Sequence, residues 1–426
     1  MIARICLAEP PCIGLSVAPV IFLAQDWSAV SNASVTASPA PTFLAPSAPT
    51  LLPTGLRDAL PPEAEHQAAC VAALLRGFSD EGYERVEPPL VEFEDSLLAD
   101  ADTSVARQTF RLMDPVSQRM MGVRPDMTIQ VARIATSRLA HRPRPLRLAY
   151  AGDVLRVKGS QLQPQRQFTQ VGIELIGAAS VAADVEVIRC ALEGLSGLGV
   201  AGLTVDLTVA ALVPKLFELY ALPAGQRQAV RDALDRKDAA AAAAQAGPLA
   251  DLLTGLLAAT GPARAALMLL TSLDLPDAVQ PLRQDLADVA TALLHQVPQV
   301  GLTIDPIEGR GFEYHTGVGF TLFARQVRGE LGRGGRYQAG PEQNEASTGV
   351  TLYMDAILPA VPAPPPRKRL YLPAGTPVDV GRSARADGWV TIAGLDPLEA
   401  VDETAKRLNC HAIFRGGRII ELEERA

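Results

Sequence analysis

Long apolar runs are missing from this sequence. No stretch approaches the roughly 18 consecutive apolar residues needed to span a bilayer, so no membrane association is expected. Metal-ligand spacings are missing too. The five cysteines (Cys6, Cys12, Cys70, Cys190 and Cys410) are scattered and odd in number, and the five histidines are equally dispersed. With no Cys-x-x-Cys and no Cys/His cluster, no zinc site is expected, and the cysteines read as reduced thiols of a cytoplasmic protein. An excess of positive charge is absent. The net charge is −8 and the pI about 5.3, which argues against broad attraction to nucleic acid. No Ser-His-Asp constellation can be assembled, and the Gly-x₄-Gly-Lys-Ser/Thr spacing of a phosphate loop is not found. Neither a catalytic residue nor a cofactor is expected.

What is present is the composition of a soluble globular chain: 426 residues, 48% hydrophobic and 20% charged, enough for more than one domain and a large core. Residues 1–51 differ from the rest. Arg4, Glu9 and Asp26 are their only charges, and 38–53 is rich in Pro, Ala and Ser, so 1–51 reads as a disordered extension or as a start assigned too early. A secretory leader around LSVAPVIFLA is interrupted at its approach by Glu9, Pro10 and Pro11.

Periodicity then predicts a helix over 62–82, a short edge or interface strand before Pro88 and Pro89, a hairpin around a DP turn, and a helix from Thr128. Strands LAYAGDVL and FTQVGIELI alternate at the period of a half-buried antiparallel pair, a helix covers 181–198, and LTVDLTV is a strand. Residues 210–296 show only helical patterns and read as an insertion. An antiparallel meander follows, then a strand into a helix at 347–358. The core is thus 52–209 and 297–360, joined by a Pro-rich linker at 361–369 to a small α/β module at 370–426. That module reads as strand, strand, helix, strand.

One stretch, Arg147 to Gly177, combines Arg156, Arg166, Gln170 and Glu174 around a Gln-rich loop. Gln170 and Glu174 would share a sheet face. Arginine, amide and carboxylate suit a small zwitterion, although an amphipathic hairpin with solvated polar residues fits the same spacing. VRPDMT (123–128) and EGRGFEYHTG (308–317) are further polar clusters beside Gly or Pro. GRGGRY (332–337) reads as a Gly-rich turn inside a sheet.

In order, TGLRDALP, YERVEPPLVE, VRPDMT, VLRVKGSQLQPQRQFTQVGIELIG, EGRGFEYHTGVGF and GRGGRY resemble successive segments of the histidyl-tRNA synthetases. The resemblance covers 52–358. It implies an α+β fold: a class II aminoacyl-tRNA synthetase-like antiparallel sheet flanked by helices, dimerising through the segment that holds Pro89. By motif position it assigns Glu92, Arg124, Arg156, Gln170, Glu174, Arg310, Tyr314 and His315 to a histidine site. The nucleotide-facing positions depart from the pattern. Lys158 stands where the motif has Glu, Tyr353 where it has Gly, and Ala356 where it has the arginine that clamps ATP. In keeping the amino-acid-facing residues but not the nucleotide-facing ones, the chain resembles the paralogous regulatory subunits of ATP phosphoribosyltransferase. That resemblance implies a non-catalytic subunit of a short-form phosphoribosyltransferase, working in histidine biosynthesis. It also implies L-histidine as effector and no role for tRNA. An active synthetase, or a histidine- or tRNA-sensing module of the same fold, are the rival readings.

Overall fold

The alternating strands on either side of the Gln-rich loop become the second and third strands of a nine-stranded sheet. The computed structural model describes residues 51–99, 103–159, 163–309, 311, 314–325, 327–340 and 345–422. The expected extension at 1–51 lies outside these, but for its last residue.

Helix α1 (Glu63–Asp80) begins after Pro62 and ends before Gly82, whose φ of +87° suits the left-handed turn that closes it. It buries Cys70, Leu74 and Phe78, each large apolar side chain contributing roughly 1.5–3 kcal/mol. The two-residue strand β1 (Glu84–Arg85) is the sheet's edge, as the prolines after it require. A separate small sheet follows, from β2 (Val91–Phe93), β3 (Phe110–Met113) and β4 (Met120–Val123), with short helices α2 (Glu94–Leu97) and α3 (Thr103–Gln108) between β2 and β3. Helix α4 (Thr128–Thr136) leads to the hairpin of β5 (Leu146–Leu155) and β6 (Gln167–Ile176), paired antiparallel from Leu146↔Ile176 to Leu155↔Gln167.

The half-buried expectation for this pair fails at β6, where every residue but Gln167 is buried. β6 is central, flanked by β5 and by β12 (Glu345–Tyr353), and α1, α4 and α5 (Val181–Gly197) all pack on it. Both faces are therefore covered, the polar one included. The rest of the sheet runs from β12 through β11 (Gly332–Ala339), β10 (His315–Ala324) and β7 (Leu203–Thr208) to β9 (Gly301–Ile304) and β8 (Gly261–Pro262). GRGGRY is therefore a central strand, not a turn. Glycine is needed there because a Cβ on Gly334 would strike Phe320 at 2.6 Å and the backbone of Val350 at 2.9 Å.

β7 and β9 are parallel, so the chain between them must cross over. Residues 212–296 are that crossover. It comprises α6 (Leu212–Leu219), α7 (Ala224–Asp235), α8 (Ala239–Ala246), α9 (Ala250–Ala258), α10 (Ala263–Ser272) and α11 (Gln280–Gln296). The strand β8, which no β pattern announced, interrupts it and pairs with β9. It is a Gly-Pro pair, too short to show periodicity. After β12 the chain turns into α12 (Met354–Ile357).

The C-terminal module is β13 (Arg369–Leu372), α13 (Val378–Ala386), β14 (Val390–Ala393), α14 (Val401–Arg407), β15 (Ala412–Arg415) and β16 (Arg418–Glu421), in sheet order β14-β13-β15-β16. Two elements escaped the sequence reading. Helix α13 buries only Gly381 and Ala384, so its pattern is weak, yet it makes β13 and β14 parallel. Gly416 and Gly417, both at positive φ, split the last apolar run into a hairpin. The module has its own small cores, Leu370 with Ala384 on one side and Tyr371 with Ala405 on the other. Among the described residues no helix is long and apolar enough to cross a membrane.

Candidate functional site

The polar side of the central strands opens into a cavity of about 670 Å³. The loop after β5, the start of α4 and strands β10, β11 and β12 line it. Arg156, Tyr314 and His315 are in its wall, together with Asp126, Thr128, Lys158, Arg333, Tyr337, Thr351 and Tyr353.

The floor is a buried carboxyl. Glu174 on β6 is 1% exposed and accepts the Tyr337 hydroxyl at 2.9 Å and the Tyr150 hydroxyl at 3.4 Å. Tyr150 also meets Thr351 Oγ1 at 2.7 Å, and Thr128 Oγ1 lies 3.5 Å from both hydroxyls. Burial pushes the Glu174 carboxyl up to about 8; the Tyr337 hydrogen bond opposes the rise and the nearby Asp126 charge adds to it. Tyr337 lines the cavity with its hydroxyl held against Glu174.

Asp126 lines the cavity wall. Its Oδ2 accepts Gln170 Nε2 at 2.8 Å and its Oδ1 accepts the Thr128 N–H at 2.8 Å. Gln170 Oε1 accepts the Met127 N–H at 3.1 Å. Gln170 is therefore fully engaged in fixing the loop that carries Asp126, one layer behind the cavity wall. On another side Arg156 lies 4.9 Å above the Phe168 ring and donates to the Pro125 carbonyl at 3.3 Å. Tyr314, 48% exposed, stacks on His315 at 4.1 Å between centroids, and a Cβ on Gly335 would leave no room for the His315 ring.

Glu92 and Arg124 are not in the wall. Glu92 accepts Gln130 Nε2 at 2.8 Å and pairs with Arg133 at 2.5 Å, which ties β2 to α4. Arg124 is buried, donating to the carbonyls of Pro88 at 2.8 Å and Asp153 at 2.7 Å. Arg310 lies outside the described residues. The residues that sequence reasoning missed, Asp126, Thr128 and Tyr337, all lie inside segments it had singled out. Asp126 holds the acidic position of VRPDMT and Tyr337 ends GRGGRY.

Tyr353, at the start of α12, bounds a further side of the cavity. Tyr353 is 4% exposed and edges the Phe168 ring at 5.9 Å and 89°. Asp355 and Ala356 follow on α12, and burial raises the Asp355 carboxyl above its usual range.

The family model for histidyl-tRNA synthetase matches residues 55–357, which span this sheet and its cavity, and so defines a histidyl-tRNA synthetase-like protein. The fold is also that of a protein from Bacillus halodurans C described as an ATP phosphoribosyltransferase regulatory subunit/histidyl-tRNA synthetase. The TM-score is 0.73 at 24% identity, over 84% of this chain and 96% of that one. Curated relatives narrow the class. The chain is 54% identical to the ATP phosphoribosyltransferase regulatory subunit of Rhodospirillum centenum, over 88% of this chain and 97% of that protein. It is 53% identical to that of Paramagnetospirillum magneticum, over 88% and 98%. The chain belongs to the family of ATP phosphoribosyltransferase regulatory subunits.

Proposed function

We propose that this chain is the non-catalytic subunit of an ATP phosphoribosyltransferase complex, that it activates a short catalytic subunit, and that L-histidine regulates it through the cavity above Glu174. The observation that carries the reading is the asymmetry of the cavity. Its amino-acid side is built: Asp126 is held for an ammonium, Arg156 stands for a carboxylate, and the Tyr337 oxygen is free to accept an imidazole N–H. Its nucleotide side is filled by Tyr353 and has Ala356 where a cation is needed. The wall keeps cations in Arg156, Lys158 and Arg333, so the non-catalytic reading rests on the bulk of Tyr353 and on Ala356 rather than on a general lack of positive charge. Gln170 and Glu174 act from behind the wall, one fixing Asp126 and the other orienting Tyr337, whereas Tyr314 and His315 close the mouth.

Self-association fits the outer edge of the sheet. Among the described residues β1 is paired on one side only, and a shallow groove runs beside α1 past Val71 and Leu75. The buried thiols of Cys70, Cys190 and Cys410 suit work in the cytoplasm.

Reconstitution tests the reading. Phosphoribosyl-ATP formation by a short catalytic subunit is expected to rise on adding this chain and to fall again as L-histidine is titrated. Absence of stimulation, or ATP–pyrophosphate exchange by this chain that depends on L-histidine, would overturn it.

A further inference from the structure

Two charged joints tie the helical crossover to the cavity wall, and they come from different helices. The first holds the segment that leads into Tyr314. Lys237, just after α7, pairs with the buried Asp305, whose other oxygen accepts the Thr260 hydroxyl at 3.4 Å. Arg231 of α7 lies 5.8 Å over the Phe217 ring of α6 and presses against Gly309, where a Cβ would meet it at 2.9 Å. From β7, the Thr208 hydroxyl donates to the Glu308 carbonyl at 2.7 Å. A little further on, the Gly311 carbonyl accepts Arg333 of the cavity wall at 3.4 Å.

The second joint is Arg336 on β11. It donates to Asp285 of α11 at 2.5 Å and pairs with the buried Asp184 of α5, which also accepts the Thr348 hydroxyl at 2.6 Å. Its chain neighbours are both at the cavity: Gly335 backs the His315 ring, and Tyr337 holds Glu174 and edges Tyr314 at 6.0 Å. Charged joints of this kind are a poor source of stability, since desolvation offsets much of the attraction. They are better suited to fixing one arrangement of two elements against another.

We propose that the helical crossover reads the state of the cavity through the Lys237–Asp305 and Asp285–Arg336 joints. A ligand that orders Tyr314, His315 and Tyr337 orders α7, α8 and α11 with them, and the crossover in turn sets the affinity of the cavity. The inference rests on the cavity being an amino-acid site.

The test is hydrogen–deuterium exchange of the full chain with and without saturating L-histidine, alongside a calorimetric dissociation constant. L-Histidine is expected to slow exchange in 224–246 and in 280–296. Lys237→Gln, at a half-exposed position, is expected to bind with a constant changed about fivefold or more and to lose the slowing in 224–246 alone. Asp285→Asn is expected to lose it in 280–296 alone. Binding that leaves both segments unchanged in the wild-type chain overturns the inference and leaves the amino-acid site standing. Failure to bind L-histidine overturns the site and the inference together. Slowing that survives both substitutions overturns the role of the joints.

Discussion

Tyr337 and Glu174 meet at 2.9 Å although they stand on strands that are not neighbours. β12 runs between β11 and β6, and Gly349 occupies its crossing point, paired with Glu174 on one side and Gly335 on the other. With no side chain at 349, a tyrosine and a carboxyl can reach each other over the intervening strand. That contact ties three strands together beneath the cavity and holds Tyr337 in its wall.

Gly349→Ala is therefore a severe change. A Cβ there would overlap the Glu174 carboxyl, whose escape is blocked by Tyr150. Overpacking a filled core costs about 1–3 kcal/mol, so the midpoint of urea unfolding is expected to drop accordingly, and L-histidine binding with it. A variant as stable as wild type that binds normally would show the contact to be dispensable.

The proton on Glu174 makes stability depend on pH in a defined direction. Its carboxyl is raised from 4.5 to about 8, so the folded chain keeps a proton that the unfolded chain releases. This contribution to stability is whole below about pH 4.5 and is lost as pH rises through about 8. Each tenfold change in proton affinity is worth about 1.4 kcal/mol, so the loss amounts to a few kcal/mol. Glu174→Gln, neutral throughout, is expected to lose less stability than wild type between pH 5 and pH 8. Parallel stability–pH curves for the two would refute it.

Much of this was legible in the sequence, and the failures have physical causes. The β5–β6 hairpin announced itself because its residues alternate. GRGGRY misled because glycines that admit a neighbouring strand look the same as glycines that make a turn. Motif position brought Arg156, Tyr314 and His315 to the cavity, but it could not reveal that Glu92 and Arg124 take internal partners. Those partners, Arg133 and the carbonyls of Pro88 and Asp153, are distant in sequence or belong to the backbone.

Arg124 offers a clean separation of binding from folding. Its guanidinium is buried on two carbonyls, and Gly152 makes room for it, since a Cβ there would overlap its Nη2. Arg124→Met leaves the buried Pro88 carbonyl without its donor, at about 1–3 kcal/mol. The unfolding midpoint is expected to fall while L-histidine affinity, measured well below it, stays level. A variant of normal stability with weakened affinity would return Arg124 to the binding site.

Asp126 and Arg156 are expected to answer to different ends of the ligand, which histamine can separate because it keeps the ammonium and imidazole but has no carboxylate. Asp126 lines the cavity with both oxygens already fixed by Gln170 and Thr128, so its charge is held in place before a ligand arrives. Asp126→Asn removes that charge and is expected to weaken L-histidine and histamine alike, by about tenfold or more for a charge-assisted contact. Arg156→Gln removes only the partner of the carboxylate, so L-histidine affinity should fall while histamine affinity holds or rises. Calorimetric titration of both ligands into both variants decides the matter. Equal losses for the two ligands in Arg156→Gln would mean that Arg156 merely supports the Phe168 ring and the Pro125 carbonyl, the two groups it touches within the chain itself.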